Sequence, residues 1–135
     1  MKTHKLISLF ALLLALALTA CSAGASTPDL KGTSWNLIAI NDQPVLADSA
    51  PTLVFEDGQA GGNGSCNSFG GEYTLDNGKL TFGSLMSTMM YCEGLSEQES
   101  AYLQALEAAA SYQVKDNSLH ILNADGQVIL AFAAQ

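Results

Sequence analysis

Short runs of alternating apolar and polar residues cover most of the chain after residue 30. Such alternation puts every second side chain on one face and predicts half-buried β-strands. The strands are predicted at 33–40, 52–56, 73–75, 79–82, 112–115, 118–122 and 127–132. Turn signals rich in Asp, Asn and Gly separate many of them, at 56–59, 76–78, 116–118 and 124–126. These residues tolerate the positive φ of tight hairpins, so we expect antiparallel pairing.

Two of these strands have distinctive patterns. The first places Trp35, Leu37 and Ala39 on one face. The last, at 127–132, is apolar on both faces, which is typical of a central strand or of one packed against a helix.

One segment has the pattern of an amphipathic helix. Ser96-Glu97-Gln98-Glu99 matches a capping box, in which Ser96 and Glu99 bond each other's backbone N–H groups. An apolar stripe follows, formed by Tyr102, Leu103, Leu106, Ala109 and Ala110. We predict one main α-helix at about 97–110. With the strands, it gives an α+β domain, a curved antiparallel sheet or open barrel of short strands.

The first 20 residues have a different pattern, with Lys2 and Lys5 preceding the apolar run Leu6–Leu18. That run of 13 residues is shorter than the roughly 20 that a membrane-spanning helix needs, and it is typical of a cleaved signal peptide. Residues 18–21, Leu-Thr-Ala-Cys, resemble the lipobox of bacterial lipoproteins. We therefore predict a signal peptide at 1–20 and a lipidated Cys21 carrying fatty acids such as palmitate. The alternative is an ordinary signal peptide followed by a coincidental cysteine.

The residues after Cys21 define the expected location. Residues 21–29 are small or polar and predict a flexible tether, leaving one domain at 30–135. We expect a lipid-anchored protein of the bacterial cell envelope. Ser22, rather than an aspartate, follows the lipidated cysteine. In a Gram-negative host, this favours the outer membrane, facing the periplasm.

Charge narrows the set of partners. After residue 20 the chain has three lysines, no arginine and all 13 acids, a formal charge of −10. This composition argues against nucleic acid and against contact with anionic lipid surfaces. A cationic partner is compatible with it, although the charge also serves solubility alone. We expect a monomer that contacts the membrane through its lipid anchor and binds an unidentified protein or small molecule.

The two remaining cysteines predict a disulfide. Cys66 and Cys92 are 26 residues apart, and in an oxidising compartment they would form a disulfide. Closing this loop would stabilise the folded state by about 3 kcal/mol. Met86, Met89 and Met90 lie close to Cys92 in sequence. With His120 they could bind Cu(I), whereas the alternative is that they fill an irregular core.

Other catalytic and binding motifs are weak. The glycine-rich segment 61–71 lacks the lysine of a phosphate-binding loop and predicts a bulged strand or close backbone packing. A disulfide would silence any pairing of cysteine with His120, and most acids lie beside turns. We predict no enzymatic activity, no catalytic residue, no metal and no cofactor.

Several segments resemble the META domain family of HslJ-like bacterial proteins. They are 30–35 (Leu-Lys-Gly-Thr-Ser-Trp), 51–55, 64–73, 87–99 and 119–132. The most specific are Gly64-Ser65-Cys66-Asn67 and the Thr-Met-Met-Tyr-Cys of 88–92. The family usually has glycine before its first cysteine, and Ser65 there is expected to matter little. The resemblance implies a curved antiparallel sheet with a helix in exported, often lipid-anchored proteins, and it supplies no agreed activity.

Two functional hypotheses follow. The first is a non-enzymatic envelope lipoprotein of the META/HslJ-like type, concerned with stress response or envelope integrity. The alternative is an inhibitor or binder of a cationic protein such as lysozyme. That alternative requires a projecting loop, for which residues 42–51 are the only long candidate.

Overall fold

The computed structural model describes residues 27–49 and 51–135, so the predicted signal peptide and Cys21 lie outside the described residues. We number the strands and the helix of the described part along the chain. They are β1 (Ser34–Ile40), β2 (Gln43–Pro44), β3 (Thr52–Phe55), β4 (Gln59–Asn63), β5 (Ser68–Asp76), β6 (Lys79–Phe82), β7 (Met86–Ser87), α1 (Ser96–Glu107), β8 (Ser111–Lys115), β9 (Ser118–Leu122) and β10 (Val128–Ala134). No helix among the described residues is both long enough and apolar enough to span a membrane.

The sheet closes into an eight-stranded antiparallel barrel. Around the barrel the order is β1, β3, β4, β5, β6, β8, β9 and β10, and β10 pairs back to β1. The short strands β2 and β7 add to β1 and β5. The predicted open barrel was therefore wrong in one respect. Because β10 has a hydrogen-bonded partner on each side, the sheet has no free first or last edge.

The pairing of β6 with β8 is the shortest in the wall. Lys79 lies opposite Ser111, and backbone hydrogen bonds from Leu80 to Ala110 and from Tyr112 to Gly78 extend the pair. Helix α1 packs against β1, β6 and β10 and inserts its apolar side into the barrel. The core residues with no exposed surface are Leu30, Leu53, Phe55, Leu80, Tyr102, Leu106, Leu119, Ile121, Leu130 and Phe132.

A bulge changes which residues of β1 face the core. The register of β1 against β10 shifts between Leu37 and Ala39. As a result Ile40 is buried, Ala39 is only half-buried and Ile38 is exposed. The prediction for Trp35 and Leu37 was correct, and the prediction for Ala39 was wrong.

The barrel has two distinct ends. The chain enters at what we call the N-terminal end, where the Tyr112 hydroxyl donates to the Pro28 carbonyl oxygen at 2.6 Å. The hairpin turns at 56–58, 77–78 and 116–117 lie at this end. Because the strands alternate in direction, the other connections lie at the opposite, distal end: 41–51, 64–67, 83–95 and 123–127.

Candidate functional site

The carboxylate of Glu99 organises the distal end of the barrel. Helix α1 directs this buried side chain at the turn 64–67 between β4 and β5. Its Oε2 accepts hydrogen bonds from the backbone N–H groups of Cys66 at 2.9 Å and Asn67 at 2.6 Å, and its Oε1 accepts one from Asn67 Nδ2 at 2.6 Å. A Cβ at Gly64 would lie 2.8 Å from Oε2, so only glycine fits beside the carboxylate.

These contacts contradict the predicted capping box. The N-cap of α1 is Leu95, without a side-chain cap, and Ser96 is the first helical residue. The Glu99 side chain turns away from the helix start because three donors in the 64–67 turn satisfy it more fully than one terminal amide would. The helix ends at Glu107, three residues before the predicted end.

Asn67 connects Glu99 to the segment after β7. Its Oδ1 accepts hydrogen bonds from Thr88 Oγ1 at 2.8 Å and from the backbone N–H of Met90 at 2.7 Å. Its Nδ2 also donates to the Met90 carbonyl oxygen at 3.1 Å. The amide group therefore binds the backbone of Met90 on both sides, as a neighbouring strand would.

A disulfide joins the same two segments. Cys66 and Cys92 are bonded, with their Cα atoms 5.8 Å apart. The predicted pairing is thus present in the structure. Together, the disulfide and Asn67 hold the segment after β7 against the turn that Glu99 fixes.

The neighbouring helical residue, Gln98, holds two further loops. Its Oε1 accepts the backbone N–H of Leu46 at 2.6 Å, and its Nε2 donates to Ser49 Oγ at 2.9 Å and to Ser65 Oγ at 2.8 Å. Residues 43 and 44 also pair with β1. The described part of the loop at 42–51 is therefore held against the helix and the barrel, rather than projecting freely as the lysozyme hypothesis required.

The segment that Asn67 and the disulfide hold in place carries a run of exposed apolar side chains. We call residues 86–91 the methionine segment. The exposed fractions are 97% for Met89, 83% for Tyr91, 78% for Met86 and 62% for Met90. The interpretation of these methionines as core residues was therefore wrong, because β7 and the residues after it lie outside the barrel. Clustered exposed apolar side chains on a fixed backbone are typical of a contact surface.

Charge is distributed unequally between the two ends. Lys31, Lys79 and Lys115 lie at the N-terminal end, where Lys31 Nζ pairs with Asp57 Oδ2 at 2.9 Å. The loops of the distal end contain no lysine or arginine. Exposed acids of the distal loops and of the start of α1 are Asp42, Asp48, Glu93, Glu97 and Asp125. The methionine segment thus stands at the anionic end.

The other predicted candidates are not brought together. His120 lies in β9 opposite Gln113 and Ala131, on a part of the wall remote from the disulfide. No cluster of three or more His, Cys, Asp or Glu side chains suited to a metal occurs within residues 27–49 and 51–135. A groove of about 580 Å³ is lined by residues of β3, β4, β5 and β7, among them Gly61, Gly70 and Met86.

Comparisons with known proteins agree on one family. The sequence profile of the META domain matches residues 28–135. Over 104 residues the chain is 31% identical to the heat shock protein HslJ of Escherichia coli (strain K12), covering 74% of each protein. An NMR structure of a protein from Burkholderia xenovorans superimposes with a TM-score of 0.66 at 28% identity, over 85% of this chain and 96% of that one.

A more distant likeness concerns the fold alone. The crystal structure of a DUF4847 family protein from Bacteroides vulgatus has a TM-score of 0.57 at 14% identity, over 77% of this chain and 93% of that one.

Replacing Glu99 tests the organising role of its carboxylate. Burial raises the pKa of this group, but the hydrogen bonds from Asn67 and Cys66 outweigh it, so the pKa lies below the ordinary value of 4.5. The charged form therefore stabilises the fold above pH 4.5, and this contribution is lost as the pH falls through the lowered pKa. Glu99→Gln must point an N–H group at a donor, and we expect it to lose about 1–3 kcal/mol of unfolding free energy at pH 7.

Urea unfolding at pH 7 and pH 3 measures this difference, which should shrink at the lower pH. Glu97→Gln is the matched control, because Glu97 is an exposed acid of the same helical turn and should change little. A Glu99→Gln variant as stable as the control at pH 7 would contradict the assignment.

Ser65 has a conformation that favours glycine, with φ at 122°. The expectation that serine matters little at this position was therefore wrong. Ser65→Gly removes the strain and the hydrogen bond to Gln98, whereas Ser65→Ala removes only the hydrogen bond. We expect the glycine variant to be more stable than the alanine variant by about 1 kcal/mol in chemical unfolding. Equal stabilities would show that the backbone here is not strained.

Proposed function

The chain belongs to the META domain family, and from that premise we propose an envelope lipoprotein that binds a partner through its distal end without catalysing a reaction. In this proposal Cys21 carries the lipid anchor, and a Gram-negative host would place the protein in the outer membrane facing the periplasm. The relative named as a heat shock protein supports a role in stress response or envelope integrity.

The observation that carries the proposal is the methionine segment. Four large side chains are 62–97% exposed there, although Asn67 and the disulfide hold the backbone beneath them. An apolar surface that is already ordered loses little conformational entropy when a partner covers it. Such a surface would be a liability for a protein with no partner, because it favours aggregation.

The position of the segment supports a partner in the aqueous space. The chain enters at the N-terminal end of the barrel, and the methionine segment begins beside the first residues of β5. The nine residues of β5 extend about 26 Å along the strand from one end of the barrel to the other. A tether at 21–29 would hold the N-terminal end towards the membrane and leave the distal end directed away from it.

The hydrogen bonding of the buried polar side chains supports the proposal that the protein catalyses no reaction. In the described part of the chain, every buried side-chain nitrogen and oxygen atom has a hydrogen-bond partner. The one buried carboxylate, among those described, is saturated by three donors, and its lowered pKa keeps it ionised. A general acid or base needs a pKa near the working pH and access to a substrate, and Glu99 has neither.

Site-specific crosslinking tests the binding surface in the envelope of cells that express the full chain. A photo-crosslinking amino acid at Met89 should capture a specific partner, because this side chain is almost fully exposed. Tyr91→Ser in the same chain should reduce the capture at least several-fold by removing the adjacent aromatic contact. The protein should remain as stable as the parent, since Tyr91 contributes nothing to the core.

The control is the same photo-crosslinking residue at Ile38, an exposed apolar position on the wall of the barrel. It should capture no partner, and Cys21→Ser should release the protein from the membrane fraction. Equal capture from positions 38 and 89 would overturn the assignment of the surface.

A second candidate is the inhibition of a cationic protein such as lysozyme. It is favoured by the anionic distal end, whose loops, with the start of α1, carry five exposed acids and no lysine or arginine. Opposite charge on a partner would speed the encounter and make binding weaken with salt. The restrained loop at 42–51 counts against it, so the methionine segment would have to fill the active-site cleft.

An activity assay decides between the candidates. If the second holds, the mature chain should inhibit lysozyme at tens of micromolar, and Glu93→Gln with Glu97→Gln should weaken the inhibition at low salt. No effect on lysozyme at these concentrations would dismiss inhibition and leave the first proposal in place.

A further inference from the structure

The methionines of the described residues are confined to one segment. Of the four in the sequence, Met1 precedes the predicted cleavage site, and the other three are Met86, Met89 and Met90. The core of the described residues is built from aliphatic and aromatic side chains and includes no methionine. A reagent that attacks thioethers would therefore act on the methionine segment and leave the core unchanged.

Exposure makes these thioethers accessible to oxidants. Methionine oxidation follows the access of the reagent to sulfur. Met89 is the most exposed at 97%, followed by Met86 at 78% and Met90 at 62%. The described cysteines are already joined in a disulfide, so they offer no thiolate that would react first.

The hydrogen bonds that hold the methionine segment in place should survive oxidation. Asn67 binds the backbone of Met90 rather than its side chain, and Thr88 is held through its hydroxyl. None of these groups reacts with a mild oxidant. Oxygen added to the three sulfur atoms therefore changes the polarity of the surface without removing a contact that holds it in place.

We propose that Met86, Met89 and Met90 form a site of reversible oxidation by hypochlorous acid or a peroxide. With a peroxide, the sulfur lone pair forms a bond to oxygen as the O–O bond breaks. With hypochlorous acid, it forms a bond to chlorine as the O–Cl bond breaks, and a water oxygen then displaces the chlorine from sulfur. Chloride and a proton leave, or water in the case of hydrogen peroxide. Sulfur loses two electrons and the oxidant gains them. The sulfoxide is polar and chiral, so the segment changes from an apolar surface to a polar one.

The consequence for binding rests on the proposed function, whereas the oxidation site itself does not. Burying a sulfoxide without a hydrogen-bond partner is costly, so a partner that covers the thioethers should be released. Reductases specific for the two sulfoxide epimers would restore the apolar surface. The fraction of protein with a partner bound at its distal end would then fall as the oxidant concentration rises and recover after reduction.

Graded hypochlorous acid added to the mature chain, followed by peptide mass mapping, tests the site. We expect about 16 Da per methionine, in the order Met89, Met86, Met90. The melting temperature should stay within about 2 °C of the untreated chain, and methionine sulfoxide reductases should restore the mass. The matched control, with leucine at all three positions, should gain no such mass.

Oxidation in another order, or at Trp35 or the tyrosines first, would overturn the site. A melting temperature that falls as the methionines are oxidised would show that they support the fold, which would also overturn it. Photo-crosslinking from position 91, which keeps all three methionines in the chain and is 83% exposed, then tests the binding consequence separately with oxidised chain. Persistent capture from the oxidised chain would refute the switch while leaving the proposed partner surface intact.

Discussion

A buried carboxylate requires compensation for its lost hydration, and the structure at the distal end of the barrel is arranged around that requirement. Glu99 obtains its compensation from two backbone N–H groups and one side-chain amide of a single turn. The dependence is mutual, because the N–H groups of Cys66 and Asn67 would be unpaired without it. Helix, turn and loop must therefore be in place together, and none of them can be relaxed independently.

Asn67 and the disulfide contribute different constraints to the same contact. The bond between Cys66 and Cys92 limits how far the two segments can separate. It leaves open which residues lie opposite each other. The amide of Asn67 removes that freedom, since its oxygen accepts from the N–H of Met90 and its nitrogen donates to the C=O of the same residue. Close spacing and defined register together produce a surface segment that is ordered without being buried.

Much of the wall of the barrel could be predicted from sequence because its signals are local. Alternation and turn residues located β6 at Lys79–Phe82 and β9 at Ser118–Leu122 to the residue and placed β8 within one residue. The glycine-rich β4 lacks alternation, so the pattern does not show that this strand begins at Gln59 and ends at Asn63. The bulge that turns Ile38 outward depends on the pairing of β1 with β10, two segments distant in sequence. Periodicity within one strand contains no information about such a shift.

The site was harder to predict because its partners are distant in sequence. Ser96 and Glu99 satisfied a local capping rule, yet the partners of Glu99 lie 32 and 33 residues away. Methionine is an apolar residue, so its composition favours a place in the core. The path of the chain after β7 places these side chains outside the barrel instead. The sequence signal nearest to the site was Cys66-Asn67. It predicted the disulfide of Cys66 but not the hydrogen bonds of the Asn67 amide.

The pairing of β1 with β10 also determines when this fold can form. β10 (Val128–Ala134) follows the other described strands in the sequence, and it supplies the final hydrogen-bonded neighbour of both β9 and β1. During synthesis β10 leaves the ribosome after the other strands of the wall, so the wall stays open until β10 has emerged. Such contacts between distant segments slow folding, because the entropy of closing a long loop is lost before the pairing stabilises it. A chain of this topology therefore cannot close its barrel while β10 is withheld, however early its other strands are made.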